Sequence, residues 1–322
     1  MLSRSRSFDY VTVGHVTVDV IAADASRRPG GGAFYSALQA ARLGLRALIL
    51  TQGSPPEIEA LLAPYRDELE LRILQAPATT TFATSWPSGQ RRQRVLAWAG
   101  PIAGPIEVDT QILHFAPVAR ETPATWRGHA DFVGLTPQGL ARTWDPHAGE
   151  TRHADAHDGA IGGEEAGGAG ETGTAEMADN AGEAGGELRS APLPSDRDAL
   201  DALLPHLCNA IVISKQERAA CAPLLAAATA TGAVLAVTAG PGATSVQLPG
   251  DEITQVQAPA VSEPRDDLGA GDVFAAAFFV ALHEGLSPAQ AAAFGNAAAA
   301  IRIEGVDADA IGDRRAIEAR LP

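Results

Sequence analysis

Cysteine is scarce, with only Cys208 and Cys221 in 322 residues, each inside an apolar stretch. That excludes a disulfide scaffold and leaves two buried thiols, so a reducing, cytoplasmic setting is expected. Long apolar runs are lacking too. The basic start MLSRSRSF leads into an alternating, strand-like segment and reads as neither a secretory signal nor a membrane span. Positive charge is in deficit, with Lys+Arg 24 against Asp+Glu 39 and a formal net charge of −15. This argues against nonspecific partnership with nucleic acid or an anionic membrane surface. An anionic ligand would need a local positive site made from backbone N–H groups, Mg2+ or single Arg and Lys residues. A dinucleotide-binding GxGxxG is absent in proper form, which speaks against an oxidoreductase.

Hydrophobic residues make up 46% of the chain, enough for a large core, although alanine supplies much of that share. The length suits one large α/β domain or two ordinary ones. The chain reads as a single domain over residues 1–322, interrupted at 148–194. That segment turns to Gly, Ala, Glu and Asp with few large apolar side chains (GGEEAGGAGETGTAEMADNAGEAGGEL). It cannot bury enough surface to offset the entropy of ordering it, so a disordered acidic insertion is expected. His147, His153 and His157 lie near its start, beside Asp155 and Asp158. No helical or hairpin spacing fixes them, and they read as solvated loop histidines in preference to a metal site.

Elsewhere short apolar runs alternate with helical patterns. Tyr10–Ile21 alternates as a strand does, and Ala33–Leu43 reads as a helix closed by Gly44. Ala47–Thr51, Ile112–Ala116, Phe132–Leu135, Ala210–Ile213 and Val234–Val237 read as buried strands. Asp198–Leu207 and Gln216–Thr231 read as helices between them. This rhythm predicts a mostly parallel sheet with helices on both faces. Thr79–Ser85 and Gln93–Trp98, joined through Pro-Ser-Gly, read instead as an antiparallel flap. Ser287-Pro288-Ala289-Gln290 is a capping box that opens a helix running to about Gly305.

The most informative stretch is Asp266-Asp267-Leu268-Gly269-Ala270-Gly271-Asp272, which precedes an apolar helix. Small residues at a helix N-terminus let an anion approach unpaired N–H groups at the positive end of the dipole. A carboxylate in the same turn can take a proton from an attacking hydroxyl. Phosphoryl transfer needs those two elements together. The same residues also fit a plain helix cap with Asp272 favourable to the dipole.

Here the chain resembles the ribokinase-like (PfkB) carbohydrate kinases, whose C-terminal signature is an Asp, two variable residues, GAGD and an apolar helix. The resemblance implies a three-layer α/β/α fold with a small β flap as a reduced lid. It implies Asp272 as catalytic base and the amides of Gly269, Ala270 and Gly271 as the anion hole. Asp266 would shape the loop, which in some members lies near a monovalent cation; Leu268 stands where a small polar residue is usual. The N-terminal signature also matches, as VGHVTVDVI followed by PGGGAFYSALQAARLG. By that match Asp19 binds substrate hydroxyls and Gly31 and Gly32 let backbone amides approach them. Ser36 takes the place of a frequent Asn on the substrate side. Asp19 could equally cap a turn, and the glycines could simply join strand to helix.

Two middle motifs extend the resemblance. Ser214-Lys215-Gln216-Glu217 is similar to the Asn-x-x-Glu that organises Mg2+ through water, with Glu217 aligned and Ser214 replacing Asn. Glu217 would also serve as an ordinary first-turn carboxylate. VTAGPGA resembles the nucleotide loop, with Thr238 and Gly240 matching and Gly242 one residue early; a tight strand turn reads equally well. Gln138, in a loop after a strand, could contact substrate or be an ordinary loop residue, and Asn296 sits where relatives approach adenine. Arg91, Arg92 and Arg94 on the flap could reach phosphates or stay solvated.

The implied activity is ATP- and Mg2+-dependent phosphorylation of a hydroxyl on a sugar, polyol, inositol or nucleoside. Relatives often dimerise through lid strands, which leaves a homodimer open. The alternative is a non-catalytic ligand-binding or regulatory protein on a kinase scaffold, motivated by Ser36, Ser214 and the shortened loop.

Overall fold

The alternating run that begins at Tyr10 stays only four residues in one sheet. β1 (Tyr10–Val13) pairs within the main sheet, then the chain turns and β2 (Thr17–Ile21) leaves it for another. Gly14 permits the turn, because a Cβ there would collide with the Ala116 carbonyl. The single strand expected over Tyr10–Ile21 is therefore two strands in two sheets. The computed structural model describes residues 8–87, 91–123, 125–144, 186–195, 208–248, 250 and 252–321.

β3 (Arg27–Gly30) returns antiparallel to β2, and α1 (Gly32–Arg42) follows, with Gly44 beyond its end at φ 93°. β4 (Ala47–Gly53), α2 (Pro55–Leu61) and β5 (Leu69–Gln75) form a parallel unit at one edge. β6 (Thr81–Ser85) and β7 (Arg92–Ala97) are the antiparallel pair expected from sequence, with Phe82 opposite Val95. β8 (Ile106–Phe115) and β9 (Trp126–Leu135) run parallel and are longer than the buried runs that announced them. β10 (Arg142–Thr143) pairs with β11 (Arg189–Ser190). β12 (Ala210–Ser214), α3 (Ala222–Thr231), β13 (Val234–Thr238), β14 (Thr244–Gln247) and β15 (Thr254–Val256) come next. α4 (Ala270–His283), α5 (Pro288–Glu304) and α6 (Arg314–Glu318) close the chain.

The main sheet has nine strands in the order β15-β14-β13-β12-β9-β8-β1-β4-β5. Its strands are parallel from β13 to β5, and β14 and β15 are antiparallel additions at one edge. Alternation along β1 sends Tyr10 to one face and Val11 and Val13 to the other, as a sheet buried on both sides requires. One face packs on α1, α4 and α5 through Phe34, Leu38, Phe274, Phe278 and Phe279. The other packs on α3 and on the segments around Ile102, Leu140 and Leu193. The architecture is the three-layer α/β/α arrangement expected.

The flap departs from the reduced lid expected. β2 and β3 add to β6 and β7, giving a four-stranded sheet in the order β3-β2-β6-β7. Two short strands alone bury too little to be stable; beneath these, Phe82 and Val95 pack with Val118 and Ala119. Two further boundaries move. Residues 186–195 are ordered, with Leu193 buried and Glu187 bridged to Arg94. The expected insertion thus ends before Leu188 and Leu193, whose apolar side chains have a core to join; most of it, including His147, His153 and His157, lies outside the described residues. The helix expected over Gln216–Thr231 begins only at Ala222, because Glu217 folds back on the Ser214 amide and Pro223 sits at the helix start. The helix expected over Asp198–Leu207 falls wholly outside the described residues. At α5 the capping box forms as read: Ser287 Oγ accepts from the Gln290 amide and Gln290 Oε1 accepts from the Ser287 amide at 3.0 Å.

Candidate active site

The small residues before α4 make the turn that the sequence led us to expect. Gly269 holds φ 74°, a left-handed conformation costly for other residues, and no Cβ would fit there against the Tyr35 ring. Among the described residues, no hydrogen bond engages the amides of Gly269, Gly271 and Asp272. The Ala270 amide donates to the Asp267 carbonyl at 3.2 Å. Of the three amides expected to meet an anion, that of Ala270 is taken by the turn itself, while the Asp272 amide has no partner among the described residues. Gly271 is exposed, with open space where a side chain would be.

Two carboxylates from opposite ends of the chain flank the glycine run between β3 and α1. A Cβ on Gly32 would lie 2.8 Å from Asp272 Oδ1, and one on Gly30 would collide with Asp19 Oδ2. Gly31 has φ 92° and turns the chain from β3 into α1. The third glycine of this run, Gly30, was visible in the sequence, but its purpose depends on β2 and β3 pairing. Burial pushes the Asp272 carboxyl up to about 7, with the Arg142 guanidinium pulling the other way. Burial likewise pushes Asp19 up to about 6, although the Thr17 hydroxyl donates to its Oδ1 at 3.1 Å. Each is therefore poised to exchange a proton near neutral pH.

Several side chains could not be recognised beforehand. Arg142 reaches in from the short helical turn at Pro137–Ala141 and donates to the Val118 carbonyl at 3.0 Å and to Gln93 Oε1 at 3.4 Å. It ties the lid strand β7 to the loop after β8. Glu121 is fully buried and accepts from the amides of His15, Val118 and Ala119. It knits that loop to the hinge between β1 and β2. No local motif marks either residue. Gln138 is half-buried on the same helical turn, and Arg91 and Arg92 are exposed on the lid.

Ser36 is corrected. It is fully buried, and its hydroxyl donates to the Asp272 carbonyl at 3.2 Å, clamping α1 to α4 in place of facing a ligand. At the C-terminal ends of β12 and β13, Ser214 pairs with Thr238, the Lys215 amide donates to the Thr238 carbonyl at 2.8 Å, and the Ser214 amide donates to Glu217, which brings the three together. Gly240, at φ 60°, and Gly242 form the hairpin turn into β14. Asn296 is corrected as well: it accepts from Thr244 Oγ1 at 2.8 Å and donates to the Val256 carbonyl at 3.2 Å. Its amide is committed to holding the edge strands on α5.

The residues fit one of the two metals that the resemblance implies. Glu217 Oε2 accepts from the Ser214 amide at 2.9 Å, leaving Oε1 for a hydrated divalent ion that takes its other ligands from water and phosphate. A monovalent cation at Asp266 does not fit. Asp266 Oδ1 accepts from the Leu268 amide at 3.0 Å, and Oδ2 accepts from Arg302 Nη2 at 2.7 Å and the Asp307 amide at 3.2 Å.

The three-layer α/β/α core with its separate four-stranded β sheet is a ribokinase-like fold. The family model for pfkB family carbohydrate kinases matches residues 171–311, a span that includes Ser214–Glu217, Thr238–Gly242 and Asp272. Solved structures across the whole chain agree. A pyrophosphate-dependent kinase in the ribokinase family, complexed with a pyrophosphate analog and myo-inositol, is 17% identical with a TM-score of 0.64, covering 97% of this chain and 100% of its own. Ribokinase of Arabidopsis thaliana, complexed with ribose and ATP, is 15% identical with a TM-score of 0.62, covering 97% of each chain. Ribokinase of Cryptococcus neoformans var. grubii in complex with ADP is 15% identical with a TM-score of 0.64, covering 98% of this chain and 100% of its own. No curated protein matches the sequence. The resemblance to the ribokinase-like (PfkB) kinases therefore holds both in the family match and in the fold. Among the described residues no helix is long and apolar enough to cross a membrane.

Proposed function

We propose that the protein is a kinase that transfers the γ-phosphoryl group of ATP to a hydroxyl of a small polyol, sugar or nucleoside. One observation carries the reading: Asp272, in the first turn of α4 beside unpaired amides, faces the same glycine run as Asp19. An acceptor hydroxyl set against Asp272 would give up its proton to the carboxylate as the phosphorus–oxygen bond forms. The amides of Gly269, Gly271 and Asp272 would stabilise negative charge on the transferred group. Glu217 would hold a hydrated Mg2+, which would supply further charge neutralisation on the donor phosphates. Asp19 would orient the acceptor by accepting from its other hydroxyls, and the lid sheet would exclude water from the transfer. The Thr238–Gly242 turn would lie along the donor.

The test is product formation with a panel of sugars, inositols and nucleosides, using MgATP and, in parallel, pyrophosphate as donor. Phosphorylated product from MgATP supports the reading, and product from pyrophosphate alone would replace the donor. A folded protein that phosphorylates nothing with either donor would sink it. Asp19→Ala should then lower kcat/KM for the acceptor by about 10–100-fold, the worth of one or two charge-assisted hydrogen bonds. ATP affinity should stay within a factor of three, measured by calorimetry; an equal loss for ATP and acceptor would place Asp19 elsewhere.

A further inference from the structure

Behind the anion turn lies a positive charge placed where neither acceptor nor donor would touch it. Arg302, on α5, has no exposed surface. Its Nη2 donates to Asp266 Oδ2 at 2.7 Å and its Nη1 to the Asp266 carbonyl at 3.2 Å. Asp266 passes the constraint to the Leu268 amide, one residue before Gly269. The guanidinium also lies over the Tyr35 ring, 5.6 Å from its centroid, and that ring is what packs against Gly269. The turn is thus held from its preceding residue and from beneath by one cation. Such a group is expensive to bury, and here Nε has no hydrogen-bond partner. A small mobile cation would bind carboxylate and carbonyl oxygens, yet both kinds of Asp266 oxygen already rest on the guanidinium.

We propose that Arg302 is a built-in counter-ion for the anion turn, a positioning residue that makes donor binding and phosphoryl transfer independent of monovalent cations. The transfer half of this inference rests on the kinase reading; the binding half does not. A guanidinium on a helix cannot exchange with K+ or Na+, so the geometry of the turn is set once the chain folds.

The test compares the full-length protein in KCl, NaCl and choline chloride at equal ionic strength. Thermal midpoint, MgATP affinity and acceptor phosphorylation are followed. The wild-type values should agree within twofold, and the midpoint within a degree, across the three salts. Arg302→Ala should lose at least tenfold in kcat in choline, with acceptor KM nearly unchanged. Millimolar guanidinium, or K+, should restore kcat, which a purely architectural role would not allow. Arg302→Lys should retain more activity than the alanine variant. A tenfold response of the wild type to K+, or a folded alanine variant with wild-type kcat in choline, would overturn the proposal. Should the alanine variant not fold, the wild-type salt comparison and the lysine variant decide. If no acceptor is phosphorylated, the kinase reading has failed, while midpoint and MgATP affinity still judge the cation inference.

Discussion

Asp272→Asn is expected to keep the fold and lose turnover by about 10²–10⁴-fold, the usual worth of a positioned general base. Asparagine preserves the shape beside Gly32 and the amide of residue 272, so MgATP affinity should change little. In the wild type, log kcat/KM should rise with pH and level off near 7, where the buried Asp272 ionises. That limb should vanish in the variant. Stability should move the opposite way. The folded pKa, about 7, lies above the ordinary 3.8, so the folded state holds its proton more tightly than the unfolded chain. This contribution is fully present below pH 3.8 and is lost as pH rises through 7. At pH 8 the variant, which has no such charge to bury, should unfold later by about 1–3 kcal/mol, with the gap closing towards pH 4. Denaturation at the two pH values reads this directly. A variant with near-normal kcat, or one less stable at pH 8, would remove Asp272 from the role of base.

Gly269→Ala should damage both stability and catalysis, because two independent constraints meet at that residue. The backbone stands at φ 74° and the added methyl would run into the Tyr35 ring. The left-handed conformation costs about 1–2 kcal/mol for a residue with a Cβ, and displacing the ring adds roughly 1–3 kcal/mol of overpacking. Any relief must move the turn away from the ring, carrying the free amides with it. The loss of one well-aimed donor lowers kcat by about 10²–10³-fold. Gly44→Ala is the control. Its φ is 93° but nothing lies near the added atom, so about 1 kcal/mol of strain should appear without the catalytic loss. Comparing kcat and denaturation midpoints in the two variants separates strain from geometry. Equal effects at both positions would contradict the arrangement described for Tyr35.

Local order was legible where the cause is local. The capping box at Ser287, the stop at Gly44 and the paired strands around Phe82 and Val95 follow from neighbours a few residues apart. The run Asp266–Asp272 could be read as a glycine turn opening a helix for the same reason. Reading failed where a residue's meaning depends on a distant partner. Ser36 was expected at the ligand because it stands where relatives often carry Asn, but the Asp272 carbonyl claims its hydroxyl. Asn296 was expected near adenine, but β14 and β15 rest against α5 and take its amide. Arg142 and Glu121 carry no motif, and their partners come from loops and lid strands remote in the chain.

By composition and pattern alone, the chain determined that it makes a largely parallel α/β sheet with a flap and a glycine turn before an apolar helix. Periodicity, caps and backbone permissiveness act over a few residues, so they can be read in order. Only the tertiary structure decided which charges meet: Asp19 with Asp272 across Gly30–Gly32, and Arg302 with Asp266 behind the turn. Burial and proximity set the strength of an electrostatic interaction, and both arise only when segments from the two ends of the chain close on one another.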